Sequence, residues 1–241
     1  MGLVGRADEC TQIDELLDSI RNGLSGALVV RGEAGVGKTA LLDYAVNRAD
    51  GFEIVRLTGV EPERDLGFAA LHRLLAPMLD QIGQLPSVQR NALNSALGLT
   101  AGPPANPFLV GLAVISMTAI AADADGPALY VVDDAQWVDS ESIAALAFWA
   151  RRLQADRIGV IFGERSDTMT ASPVQGLPVL ELNGLGYDEA QALLASAAGF
   201  ELDRDVADRV LAETEGNPLA IIEVGKSLTP QKLVGLAAAP H

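Results

Sequence analysis

Apolar positions follow two rhythms along the chain, and the rhythms alternate. In residues 6–22, Cys10, Ile13, Leu16, Leu17 and Ile20 fall three or four apart with acids between them. That spacing predicts an amphipathic helix, which Gly23 ends. Residues 27–31 are a short apolar run, predicted as a strand, and a glycine-rich turn follows. A helix is predicted over 39–48 from Leu41, Leu42, Ala45 and Val46, and residues 52–57 alternate like a strand. Residues 61–100 keep helical spacing, with breaks at Pro77 and around 83–86. GPPANP at 102–107 reads as a loop, because two prolines in a row cannot sit inside a helix.

The longest apolar stretch is FLVGLAVISMTAIAA, residues 108–122. It is shorter than the roughly 20 residues of a bilayer span and contains Ser and Thr, so a buried helix is expected. Residues 128–132 are continuously apolar, as in a strand covered on both faces. A helix over 140–153, a second buried strand over 158–162 and a last strand over 179–182 complete this part. After Gly184 only the helical rhythm remains, at 188–198, 204–215 and 218–227. The expected organisation is an α/β body, residues 1–183, with a mostly parallel central sheet, followed by a small helical unit, residues 184–241. The 241 residues, 49% of them apolar, suffice for that arrangement.

Charge narrows the function. The net charge of −15 and the lack of any Lys/Arg-rich run argue against a chain that grips nucleic acid or an anionic membrane over its surface. Cys10 is the only cysteine, so no intrachain disulfide can form, which fits a reducing cytoplasm. His72 and His241 are the only histidines and make no metal-ligand spacing, and His72 is read as a surface helix residue. The N-terminus meets acidic residues at once and has no apolar leader segment.

The first chemistry is GEAGVGKT, Gly32 to Thr39, which fits G-x-x-x-x-G-K-[ST] between a predicted strand and a predicted helix. Such a turn directs several backbone N–H groups inward, and the positive end of the next helix adds to them, so phosphate oxygens are held. Lys38 can reach the β- and γ-phosphates, and the Thr39 hydroxyl suits Mg²⁺. The second is ALYVVDDAQWVD, residues 128–139. Its apolar run delivers Asp133 and Asp134 to a strand's C-terminal end, where ligands sit in open α/β sheets. Asp133 is the candidate for the metal side and Asp134 for polarising the attacking water. Asp139 and Ser140 stand better placed to cap the following helix. Asp134 is one methylene shorter than a glutamate base, which suggests slow hydrolysis.

With these motifs placed, the chain resembles the nucleotide-binding domain of STAND-type ATPases, a branch of the AAA+-like P-loop proteins. More narrowly, it resembles the N-terminal ATPase domain of large LuxR-family transcriptional regulators. The resemblance spans about residues 3–227. It rests on LVGRADEC with Gly5, Arg6 and Glu9, on the two nucleotide motifs, on IFGERSD ending a strand at Arg165, and on TEGNPLAI with its Gly-x-Pro. It implies that Val4, Gly5 and Arg6 lie against adenine. Gly32, Glu33, Ala34, Gly35, Val36, Gly37, Lys38, Thr39 and Ala40 would hold the phosphates of ATP or ADP with Mg²⁺. Arg165 would sense the γ-phosphate, and Pro218 in a helical lid would pack on the nucleotide. In oligomeric relatives an arginine near Arg151 or Arg152 can reach a neighbour's nucleotide, although cations also suit a helix C-terminus by themselves. Trp137 and Trp149 are read as packing residues.

The implied function is a cytoplasmic ATP/ADP switch with slow hydrolysis, closed with ADP and able to self-associate with ATP. DNA contact would come only through a C-terminal domain absent from this chain, which reads either as an excised domain or as a small protein sharing it. The alternative is a turnover-competent AAA+ module of remodelling or loader type. A scaffold with a degenerate site conflicts with intact Lys38, Thr39 and Asp133. No guanine-reading Asn/Thr-Lys-x-Asp motif is present.

Overall fold

The computed structural model describes residues 3–101, 103–166, 172, 174–200 and 202–228. Gly102 of the expected loop, Asp167 of the strand motif, and residues 229–241 of the expected helical unit lie outside the described residues.

Among the described residues, five strands form one sheet: β1 (Gly26–Gly32), β2 (Glu53–Thr58), β3 (Ala128–Asp133), β4 (Ile158–Arg165) and β5 (Val179–Leu182). Their spatial order is β2-β3-β4-β1-β5, and every pairing is parallel. Parallel neighbours need long crossovers, and helices supply them. On one face lie α1 (Ala7–Arg21) and α2 (Lys38–Arg48), and on the other α3 (Ala69–Leu75), α4 (Ser87–Ala96), α5 (Pro107–Asp125) and α6 (Ser140–Ala150). The β3 residues divide between these layers as strand alternation requires. Leu129 and Val131 pack with α1 and α2, whereas Tyr130 and Val132 face the other layer. The α/β expectation therefore holds, and the sheet is wholly parallel.

Two elements differ in extent from the sequence reading. The helix after the acidic motif stops at Ala150 rather than 153, because the chain must turn into β4, with Arg157 in the left-handed region at φ 54°. Local preference would continue the helix through Arg151 and Arg152, and tertiary demand overrides it. β4 runs to Arg165 rather than 162, since its pairing with β1 continues to Gly32↔Arg165. The region 61–100 keeps α3 and α4 but fills the gap around Pro77 with a 3-10 segment, Ala76–Gln84.

Among the described residues, α5 is the one helix long and apolar enough by length and composition to cross a membrane. At 19 residues it is longer than the apolar run implied. Val110, Ala113, Val114 and Met117 are fully buried in the main core, and the helix packs against α4 and α6. Opposite it in the same core, Trp149 is fully buried, edge-on to Tyr130 at 4.9 Å. Trp149→Ala is expected to lower stability by about 3–5 kcal/mol, read as a lower urea midpoint. Trp149→Phe is expected to lose less, because the indole Nε1 has no hydrogen-bond partner among the described residues.

Asp139 binds the two ends of this layer together. Its carboxylate is buried, caps α6 by accepting from Ser142 N, and also accepts from Phe68 N and Ala70 N at the start of α3. On the opposite layer, burial pushes the Cys10 thiol up, away from the reactive thiolate. After β5 come α7 (Tyr187–Ala198), α8 (Arg204–Thr214) and α9 (Pro218–Ser227), which bury Ala190, Leu194, Ala207, Leu211 and Ile221 in a cluster of their own.

Candidate functional site

The sheet order decides where the chemistry gathers. β4 lies between β1 and β3, so their C-terminal ends stand side by side: Gly32 beside Arg165, and Val132 beside Phe162, one residue before Asp133. The glycine-rich turn leaves β1 there and enters α2 at Lys38. Gly35 (φ 79°) and Gly37 (φ 107°) take left-handed conformations that side-chain-bearing residues disfavour. Gly37 is the N-cap of α2, so the helix's first N–H groups open toward the turn.

Lys38 is 7% exposed. Its Nζ donates to the carbonyls of Gly32 (2.8 Å) and Glu33 (2.7 Å), which arches the side chain back over the turn. Thr39 Oγ1 donates to Asp133 Oδ2 at 2.9 Å. Hydroxyl and buried carboxylate thus meet across β1 and β3, and two hard oxygens at one point suit Mg²⁺. Asp133 Oδ1 accepts from Asp134 N at 2.9 Å. Asp134 has φ 50° and starts a 3-10 turn, Ala135–Trp137. Gln136 Nε2 donates to Asp134 Oδ1 at 2.7 Å, and Gln136 Oε1 accepts from Arg165 N at 3.3 Å. The structure therefore brings Lys38, Thr39, Asp133, Asp134 and the Arg165 backbone to one sheet end.

The N-terminal segment lies on the other flank of the turn. Val4 is exposed, Gly5 packs against Leu185 and Glu189, and Arg6 is buried. The Arg6 guanidinium donates to Val36 O (3.0 Å) and Asn183 O (2.7 Å) and pairs with Glu9 at 3.1 Å. Arg6 thus ties the turn, the exit of β5 and α1 together. The helical unit also touches the turn directly. Asn217 caps α9 by accepting from Leu219 N and Ala220 N, while its Nδ2 donates to Ala34 O at 2.8 Å. Leu219 N donates to Gly35 O at 3.3 Å, and Pro218 occupies the first turn of α9.

Between turn and helical unit lies a cavity of about 550 Å³, lined in part by Gly32, Ala34, Asn183 and Asn217. Glu33, Glu181, Glu213, Glu215 and Glu223 also line it, whereas Lys38, Thr39 and Asp133 do not. Carboxylates only accept hydrogen bonds, so this wall fits hydroxyl or amine donors and repels phosphate. The α2 end of the turn, with its helix N-terminus and Lys38, is the part that suits an anion.

The remaining expectations fall away from this cluster. Arg151 Nη1 donates to Gln175 O, and the Arg152 guanidinium stacks 3.6 Å over Phe148. His72 is exposed on α3, and Trp137 lies 6.0 Å from the Arg64 guanidinium. Gln136 and Asn217 were missed as site residues. Both stand in quoted motifs, but nothing in a spacing tells where an amide points.

Comparisons with known proteins agree with this fold. The AAA ATPase domain family matches over residues 2–162. No curated protein matches the chain. A Walker-type ATPase of Pyrococcus abyssi is similar in structure (TM-score 0.56, 14% identity), with 98% of this chain and 76% of that one covered. Aeropyrum pernix ORC2, solved in ADPNP–ADP complexes, gives TM-score 0.56 and 16% identity over 98% of this chain and 64% of that one. A STAND protein with a tetratricopeptide repeat sensor from Pyrococcus horikoshii gives TM-score 0.50 and 18% identity over 99% of this chain and 33% of that one. This chain therefore spans about three quarters, two thirds and one third of these neighbours. With two thirds of its length inside the family match and a parallel sheet carrying the glycine-rich turn beside Asp133, the chain belongs to the AAA ATPase domain family.

Proposed function

We propose that this chain is an ATP/ADP-binding switch whose lid, residues 184–241, closes on the P-loop. The observation that carries the reading is the pair of hydrogen bonds from the start of α9 to Ala34 O and Gly35 O, since they join the helical unit to the nucleotide turn itself. ATP with Mg²⁺ would bind through Lys38, Thr39 and Asp133, with Asp134 polarising the attacking water slowly and Arg165 at the γ-phosphate. Donor groups of the ribose or base suit the acidic wall. A nucleotide shifts such an equilibrium only by its differential affinity for open and closed forms, typically about 1–3 kcal/mol. By the sequence resemblance, the parent would be a cytoplasmic LuxR-family regulator that self-associates with ATP and reaches DNA through a further domain.

The test is to denature freshly purified protein and identify the released nucleotide by anion-exchange chromatography. Near-stoichiometric ADP is the expected result, and protein without nucleotide would count against a closed lid. Asn217→Asp sharpens it. The carboxylate still caps α9 but cannot donate to Ala34 O, so ADP release, followed with a fluorescent analogue, is expected to quicken about tenfold, the equivalent of one hydrogen bond. An unchanged release rate would detach the lid from nucleotide retention.

A second reading, a turnover AAA+ module, has support in the ORC-type neighbours, one of them Drosophila ORC bound to DNA (TM-score 0.57, 17% identity, 99% of this chain and 58% of that one). Sustained ATP turnover that depends on protein concentration and on Arg151 or Arg152 would favour it.

A further inference from the structure

We propose that Gln136 is a positioning residue for ATP hydrolysis: its side-chain amide ties the Asp134 carboxylate to the β4 backbone at Arg165. The inference rests on the hydrolytic part of the reading above.

Gln136 stands two residues after Asp134, within the 3-10 turn that the left-handed Asp134 begins. That turn folds the amide back over the carboxylate. Nε2 donates to Asp134 Oδ1 at 2.7 Å, the short distance expected when the acceptor is an anion. Oε1 accepts from Arg165 N at 3.3 Å, across to the neighbouring strand. The two neighbours allow only one orientation of the amide. A flipped Gln136 would set oxygen against carboxylate and NH₂ against N–H.

Three consequences follow for Asp134. Its Oδ1 already accepts one hydrogen bond, so Oδ2 is the oxygen with more capacity left for a water. Its backbone N–H is held by Asp133 Oδ1, so backbone and side chain are each fixed to a neighbour at the sheet end. The carboxylate also becomes mechanically joined to Arg165, the end of the strand between the P-loop strand and its own. A displacement of the β4 backbone at Arg165 would move the Gln136 amide, and with it the candidate base. A water-polarising group misplaced by about 1 Å loses about a hundredfold in rate, so a bond that fixes its position controls turnover without touching substrate.

The test uses Gln136→Met, which keeps length and removes both hydrogen bonds, and Gln136→Glu, which keeps the acceptor for Arg165 N but sets a second carboxylate against Asp134. Single-turnover release of labelled γ-phosphate and steady-state turnover are measured in each, with ADP affinity and thermal unfolding in parallel. Gln136→Met is expected to lower kcat at least tenfold with KM and ADP affinity within twofold of the parent. Gln136→Glu is expected to lose at least as much. In an Asp134→Ala background, Gln136→Met is expected to remove nothing further. A generally weakened fold would instead give the same fractional loss in both backgrounds, which would overturn the assignment, as would an unchanged kcat in Gln136→Met. A parent chain that binds ATP without any turnover would overturn the hydrolytic reading itself, and the role of Gln136 with it.

Discussion

Lys38→Ala is expected to weaken MgATP binding by about a hundredfold or more. Each hydrogen bond from an ammonium to a phosphate oxygen is worth about 1.5–3 kcal/mol, and the side chain can supply two. Lys38 also serves the turn itself, through its bonds to the Gly32 and Glu33 carbonyls. Truncation therefore leaves two carbonyls of the turn without this donor, besides removing the charge. Isothermal titration with ATP and ADP separates the parts. The loss should be larger for ATP, because the lysine reaches toward the β- and γ-phosphates. A change of less than fivefold for both nucleotides would show that this turn is not where polyphosphate sits.

The second large effect is expected at Asp133. In Asp133→Ala the Thr39 hydroxyl and the Asp134 N–H lose a shared partner at a buried position, which costs about 1–3 kcal/mol for each group left unsatisfied. More telling is the metal. The parent should bind ATP more tightly with Mg²⁺ than with a chelator, and in the variant that ratio should fall close to one. Asp133→Asn is the companion variant, since it retains an acceptor for Asp134 N, removes the charge and sets an NH₂ group against the Thr39 hydroxyl. A ratio that survives in both variants would move the metal to other ligands.

Much of this arrangement was legible because the relevant signals are local. β3 announces itself as ALYVV, an unbroken apolar run that only a strand covered on both faces sustains, and it ends in acids where such strands end. The turn from Gly32 to Thr39 is marked by its spacing together with the strand before it and the helix after it. Asn217 as N-cap and Pro218 in the first turn start α9 by local preference, a signal that lies in the sequence NP itself. What could not be read is everything set by partners distant in sequence. Arg6 is expected against adenine by the resemblance, and its guanidinium reaches Val36 and Asn183, 30 and 177 residues away. Asn217 was legible as a cap, but its second bond, to Ala34, depends on where a whole helical unit docks. β4 looked three residues too short because Gly163, Glu164 and Arg165 break its apolar run. They stay in the strand because β1 alongside supplies hydrogen bonds, and Glu164 is buried there by an ion pair to Arg31 at 3.0 Å. Register is a tertiary quantity, and polar residues obey it when a partner waits on the neighbouring strand.

The shortness of β5 has a mechanical consequence. Its four residues pair with β1 alone, and its last, Leu182, lies opposite Gly32, the residue that opens the P-loop. If the helical unit swings at the exit of β5, its pivot is fastened to the same strand end that bears the phosphate turn. With 12 residues, α7 is a rod of roughly 18 Å anchored beside that pivot. A tilt of about 10° at its base carries the far end of the rod roughly 3 Å. A sub-ångström adjustment around a phosphate would thus be converted, by lever arm alone, into a displacement large enough for a neighbouring surface to register.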